Sequence, residues 1–138
     1  MLTVSKTLCF DAAHLLGGHP GQCRNLHGHT YRVTVEVGSL PKTPGAPDDM
    51  VVDFRDLKAT LGRVIEAYDH AFIYNANGEV EAELAAVLER HGLKTVRHDF
   101  RTTSENLAKH FFHLLSQSLP VTAVTVAETQ SNVATYRP

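Results

Sequence analysis

Cys23, His27 and His29 stand within seven residues, in the stretch Cys23-Arg24-Asn25-Leu26-His27-Gly28-His29. Thiol and imidazole side chains bind borderline-soft divalent metals and move protons near neutral pH. The residues that follow, Tyr31 to Val37, alternate apolar and polar. A period of two marks a half-buried β-strand, whose residues i and i+2 point to one face. His27 and His29 continue the odd-numbered row of Tyr31, Val33, Val35 and Val37. Both imidazoles therefore project from the start of the strand on its apolar side. Two histidines so placed are either half-buried structural residues or two donors of a metal site. A third donor from another element decides between the two.

His14 is that candidate. Leu2, Val4, Leu8, Phe10, Ala12 and His14 share one row of a first strand, interrupted by Lys6. Cys9 falls on the polar row, where a structural role is the most it can have. Leu15 to Gln22 contains Gly17, Gly18, Pro20 and Gly21 and reads as a loop. If the flanking strands pair as a hairpin without a bulge, the end of one lies beside the start of the other, and His14, His27 and His29 converge. Three imidazoles around a divalent ion, with a fourth position open, is the pattern of a catalytic zinc. A structural zinc takes four protein ligands, and His19 or Cys23 could supply the fourth.

The remaining elements must carry and enclose this site. Gly38 to Asp49 holds three prolines and reads as a second loop. Asp53 is placed to cap a helix in which Phe54, Leu57, Leu61, Val64, Ile65 and Tyr68 form one apolar face. Asp56 and Glu66 fall among its solvated positions. Asp69-His70 closes this helix, as a polar terminus or as a carboxylate–imidazole relay for an acid–base thiol. A turn at Asn75–Gly78 precedes a helix over Glu79 to His91, ended by Gly92. Lys94 to His98 has the character of a short strand, with His91 and His98 on the surface. Thr102-Thr103-Ser104-Glu105 has capping-box spacing and opens a third helix. His110 and His113 share a face of that helix without a carboxylate partner. Val121 to Glu128 and Asn132 to Tyr136 read as the last strands. Glu128 ends the row of Val124 and Val126, and a carboxylate there is costly unless it is hydrogen-bonded. It can accept from backbone amides or from a ligand bearing N–H groups.

Two hairpins with helices between them predict one α+β domain over residues 1–138. Its expected core is a four-stranded antiparallel sheet with helices on one face. So small a sheet leaves edges that invite subunit pairing. The 138 residues are 43% hydrophobic and 20% charged, with a formal net charge of -2. This balance, without a run of basic residues, argues against nucleic-acid binding. No apolar run is long enough for a membrane span. The N-terminus lacks a signal-peptide layout. The two cysteines, Cys9 and Cys23, are therefore expected as free thiols in a reducing cytoplasm, a Cys9–Cys23 disulfide being the alternative.

Several segments also match a known family. Phe10-Asp11-Ala12-Ala13-His14, Cys23-x-x-x-His27-Gly28-His29, Val52-Asp53-Phe54, Leu57-Lys58, Asp69-His70, Thr103-Ser104-Glu105-Asn106-Leu107-Ala108 and Glu128-Thr129 with Tyr136 occur in this order along nearly the whole chain. In these segments the chain resembles the 6-pyruvoyltetrahydropterin synthase superfamily. The resemblance is strongest to its bacterial queuosine (7-deazaguanine) branch. It implies the tunnelling fold, in which three sheets join as a barrel and two rings stack as a homohexamer. It implies one Zn2+ per subunit on His14, His27 and His29, and Cys23 as the proton-abstracting thiolate. It implies Asp69 and His70 as the thiolate's relay, contributed across a subunit interface. Glu128 would anchor the 2-amino-4-oxo edge of a pterin, with Thr103, Ser104 and Glu105 alongside. The implied substrate is 7,8-dihydroneopterin triphosphate. In this branch it loses triphosphate and acetaldehyde to give 6-carboxytetrahydropterin. Two alternatives stand beside that reading: triphosphate elimination that keeps the carbon skeleton, and a non-catalytic zinc or pterin-binding module. The folate-pathway branch typically carries a glutamate where Cys23 stands. The chain departs from the family's shortest members in a longer segment from Gly78 to Arg101. It also has Arg101 or Thr102 where a proline usually precedes the Thr-x-Glu-Asn stretch.

Overall fold

A computed structural model describes residues 1–39 and 50–138, so the expected second loop lies, from residue 40 onward, outside the described residues. Two long strands form the frame, β1 (Leu2–His14) and β2 (His27–Ser39). They pair antiparallel along their whole length. The alternation read from the sequence governs which side each residue takes. Phe10, Ala12 and His14 of β1 and Tyr31, Val33, Val35 and Val37 of β2 are buried on one face, while Cys9, Asp11 and Arg32 are exposed on the other. Phe10 lies opposite Tyr31 in the register, and their rings stack at 4.9 Å. Burying side chains of this size contributes about 1.5–3 kcal/mol each.

Two helices cover that face. In α1 (Phe54–Tyr68), Leu57, Leu61, Ile65 and Tyr68 are buried, and the Asp53 carboxylate accepts from the Arg55 amide at 2.8 Å as the N-cap. In α3 (Ser104–Leu115), Leu107, Ala108, Phe111, Phe112 and Leu115 are buried. Both helices share one core with β1, β2 and β5 (Val121–Ala127). The final strand β6 (Val133–Tyr136) pairs antiparallel with β5.

The sheet is larger than the expected four antiparallel strands. It has six, in the order β4-β3-β1-β2-β5-β6, and is mixed. The added strands are β3 (Ala71–Asn75) and β4 (Thr95–His98). β3 runs parallel to β1 and to β4. Its first four residues are all buried, so it shows no alternation, as expected of a parallel strand covered on both faces. The cover on its second face is α2 (Glu79–Arg90), the crossover from β3 to β4. Phe72 and Tyr74 pack with Leu15 and Ala85 in a second, smaller core, whereas Ile73 between them belongs to the main one. The helices therefore do not all lie on one face. Gly92, at φ +72°, closes α2: its amide bonds to Glu89 and the Leu93 amide to Leu88, both carbonyls of the last turn.

Two local expectations also change. The cap of α3 is Thr103, whose hydroxyl accepts from the Asn106 amide at 3.3 Å, one residue later than the Thr102–Glu105 box. His98 is not on the surface. It is 7% exposed, stacks on Tyr68 and Phe100 and touches His110. Its Nε2 lies 3.1 Å from the Tyr68 hydroxyl. Burial, reinforced by the nearby His110, lowers its pKa from 6.5 to about 4. Among the described residues no helix is long and apolar enough to cross a membrane.

Candidate functional site

The hairpin register brings the three histidines together. His14 lies opposite His27, and Ala12 opposite His29. Gly28 suits the position between the two histidines: a Cβ there would crowd the Ala12 carbonyl oxygen at 3.1 Å. The three ring centroids are 4.6, 5.2 and 4.9 Å apart, and one donor atom from each ring falls within 4.8 Å of the others.

Hydrogen bonds set the tautomers. His14 Nδ1 donates to the Thr102 carbonyl at 2.9 Å, with the Thr102 hydroxyl 3.2 Å away. His27 Nδ1 donates to the Asn25 carbonyl at 2.7 Å. Each neutral ring then keeps its lone pair on Nε2. Those two Nε2 atoms are 3.1 Å apart, so two acceptors face one another with no hydrogen between them. His29 Nε2 and the Tyr31 hydroxyl, which adjoin this point, are the buried side-chain polar atoms left without a hydrogen-bond partner among the described residues. A buried polar atom left unpaired costs about 1–3 kcal/mol. A cation held by the three rings would remove the repulsion and give His29 Nε2 a partner. Burial, the largest cause, lowers the pKa of His14 from 6.5 to about 4 and also lowers that of His29. Burial thus favours the neutral form of both rings, the form that metal ligation needs.

Neither His19 nor Cys23 joins the cluster, so the fourth ligand of a structural zinc is not supplied from those positions. Cys23 sits half-buried in a 3-10 turn, Gln22–Arg24, and its carbonyl accepts from the Leu16 amide at 2.8 Å. Cys9 and Cys23 are both free thiols.

Glu128 follows the last residue of β5. Its carboxylate spans the open side of the triad, with one oxygen 3.9 Å from His14 Nε2 and the other 3.9 Å from His29 Nε2. It also borders a cavity of about 510 Å3, lined in addition by Thr103, Ser104 and Glu105 at the start of α3. The four expected pterin-binding residues thus share one cavity beside the triad.

Asp69 and His70 lie elsewhere. His70 Nδ1 is 3.0 Å from the Asp69 carboxylate, and the Asp11 amide donates to the same group at 3.0 Å. The Asp11 amide first, then His70 and Lys94, hold the Asp69 carboxyl below its usual range. His70 has φ +61°, a left-handed conformation that costs a non-glycine residue about 1–2 kcal/mol. Its amide bonds to the Asp11 carbonyl at 2.6 Å. Asp11 alternates with buried Phe10 and Ala12, so the dyad opens on the sheet face opposite the triad. There a cavity of about 610 Å3 is lined by Asp11, His70, Phe72, Leu88 and Lys94, and the β2 residues Gly28 and His29 also border it.

Two contributors were not singled out by the sequence. Thr102, 0% exposed, orients His14 largely through its carbonyl, a group every residue carries and no motif marks. Asn25 does the same for His27. Only their placement beside an imidazole gives them the role.

Comparison with known proteins supports the family resemblance. The chain is 43% identical to the 6-carboxy-5,6,7,8-tetrahydropterin synthase of Haemophilus influenzae, over 99% of both chains. It is 35% identical to the protein of the same name from Aquifex aeolicus, over 97% of this chain and 96% of the relative. The fold matches the 6-pyruvoyl tetrahydropterin synthase of Caenorhabditis elegans with a TM-score of 0.67 at 27% identity, over 99% of this chain and 95% of that one. With residues 3–138 matched by the family's sequence profile, the chain belongs to the 6-pyruvoyl tetrahydropterin synthase family.

Proposed function

We propose that the protein is a zinc-dependent carbon–carbon lyase. With uptake of one water, it would convert 7,8-dihydroneopterin triphosphate to 6-carboxy-5,6,7,8-tetrahydropterin, releasing acetaldehyde and triphosphate on the route to queuosine. The observation that carries this reading is the placement of the Glu128 carboxylate between the three-histidine cluster and the Thr103–Glu105 cavity. A pterin held by Glu128 would occupy that cavity, beside the three-histidine cluster.

Glu128 offers two acceptor oxygens to the 2-amino and ring N–H donors of the pterin, with Thr103, Ser104 and Glu105 completing the wall. His14, His27 and His29 would hold zinc, with Thr102 and Asn25 fixing the orientation of His14 and His27. Bound zinc supplies Lewis acidity to the side-chain oxygens, which makes the neighbouring C–H bonds easier to ionise. Cys23, as thiolate, takes the proton from the side-chain carbon, and its return to another position moves the carbonyl along the chain. Asp69 stays ionised and accepts from His70 Nδ1, leaving His70 Nε2 to exchange protons. Because this dyad opens on the face opposite the triad, it serves the site of a neighbouring subunit. A homohexamer built as a dimer of trimers, in the cytoplasm, supplies that neighbour.

Product analysis by mass spectrometry on zinc-loaded protein with 7,8-dihydroneopterin triphosphate tests the reading. Acetaldehyde with 6-carboxytetrahydropterin is expected. A pyruvoyl product without acetaldehyde moves the protein to triphosphate elimination alone, and no turnover by folded, metal-replete protein leaves a binding module.

A further inference from the structure

The cavity that Glu128 borders is not uniformly suited to N–H donors. Its wall on the side of the loop 15–22 carries Arg101 and His19. Arg101 is exposed, and the one hydrogen bond of its side chain among the described residues runs from Nη2 to the Gly17 carbonyl at 3.1 Å. No carboxylate among the described residues lies within ion-pair distance of it. A guanidinium has five N–H donors in a planar fork, so most of its donor capacity remains. His19 is set as a donor too. Its Nδ1 accepts from the Gly21 amide at 2.9 Å, which leaves the proton of the neutral ring on Nε2. Arg101 also borders a second cavity, about 340 Å3, lined by Gly17, Gly18 and Asn75 to Glu81 and not by Glu128. It therefore sits where the two cavities meet, whereas Glu128 lines only the first. The cavity has an acceptor end at Glu128 and a cationic, donor-rich end at Arg101 and His19. Glu105 is the remaining carboxylate on the wall, and it is solvent-exposed, where its repulsion of an anion is screened.

We infer that Arg101 and His19 form an anion subsite that takes the triphosphate of the substrate, so that the protein selects phosphorylated over unphosphorylated pterins. This rests on the pterin reading above and adds a specificity device to it. A guanidinium suits phosphate oxygens because it binds two of them at once and cannot lose its charge. Arg101 also tethers the loop that bears His19, so a purely structural role is the competing account. The two differ in what they do to ligands. A tether lost weakens every pterin alike, whereas an anion subsite lost weakens only the phosphorylated one.

The test is equilibrium binding of neopterin triphosphate and neopterin to zinc-loaded protein, the aromatic ring of both being chosen to block turnover. Wild-type protein is expected to bind the triphosphate at least tenfold tighter than neopterin. In R101M that preference should shrink by about 10- to 100-fold, the range for hydrogen bonds to a charged group, while Kd for neopterin stays within about twofold. H19A, which keeps the link from Arg101 to Gly17, should narrow the preference in the same direction and carries the test if R101M does not fold. An unchanged preference in the variants, as when the metal alone seats the triphosphate, overturns the inference. Equal weakening of both ligands does so too, and both results leave the pterin reading standing. Failure of wild-type protein to bind either pterin removes that reading, and this inference with it.

Discussion

The chemistry concentrates in a few side chains whose roles separate cleanly by substitution. Cys23 lies outside the metal cluster, so Cys23→Ala should keep one zinc per subunit while turnover falls by about 10²- to 10⁴-fold, the usual weight of a positioned acid–base group. Metal analysis beside the rate assay checks this, and full activity in the variant would falsify the thiolate role. His27 Nε2 faces His14 Nε2 at 3.1 Å. Removing His27 takes away one of three donors, and His27→Ala should purify with zinc well below one per subunit. Glu128→Gln keeps the shape but loses the charge. Pterin should bind about 10- to 100-fold more weakly, measured by titration, with zinc content unchanged. The three histidines and Glu128 were legible in the sequence because each ends or begins an alternating row. Thr102 and Asn25 were not, since they act through backbone carbonyls that only proximity to an imidazole makes useful.

At the scale of elements, the β1–β2 hairpin and helices α1 and α3 follow from periodicity, with one apolar row or stripe per element turned to one core. β3 escapes that reading because α2 and the main core cover its two faces, so both rows are apolar. The start of α3 offered Thr102, Thr103 and Ser104 as caps. Thr102 is engaged with His14, and Thr103 takes the cap. His98 shows the same override, a histidine of the short edge strand β4 buried under Tyr68, Phe100 and His110. Its folded pKa, about 4 against 6.5 for an ordinary histidine, means that the unfolded chain binds more protons between those values. Stability is therefore unaffected by His98 above pH 6.5 and falls as the pH drops toward 4. At pH 5 the loss from this group is about 2 kcal/mol. His98→Gln should reduce the stability lost between pH 7 and pH 5 by about that amount, read by urea unfolding at fixed protein concentration. An equal loss in both proteins would place the pH sensitivity elsewhere.

For the molecule as a whole, the decisive fact is that the triad and the Asp69–His70 dyad open on opposite faces of one sheet. On the proposed function, a working site takes the triad from one copy and the dyad from another, and mixing two variants tests this. Cys23→Ala and His70→Ala proteins, each inactive alone, should regain about a quarter of wild-type turnover when assembled together at equal amounts, because some sites draw both intact halves. Assembly without recovered activity would mean that both groups act within one chain. The sequence by itself determined the three histidines that cluster and the two long strands that hold them. These depend on spacing within a strand and on pairing of neighbouring strands, both of which are local. Only the tertiary structure decided that β3 and β4 extend the sheet, that α2 crosses to its far face, that Thr102 orients His14 and that Arg101 shares a cavity with Glu128. Those contacts join residues distant along the chain, and burial on both faces erases the periodicity that would have announced them.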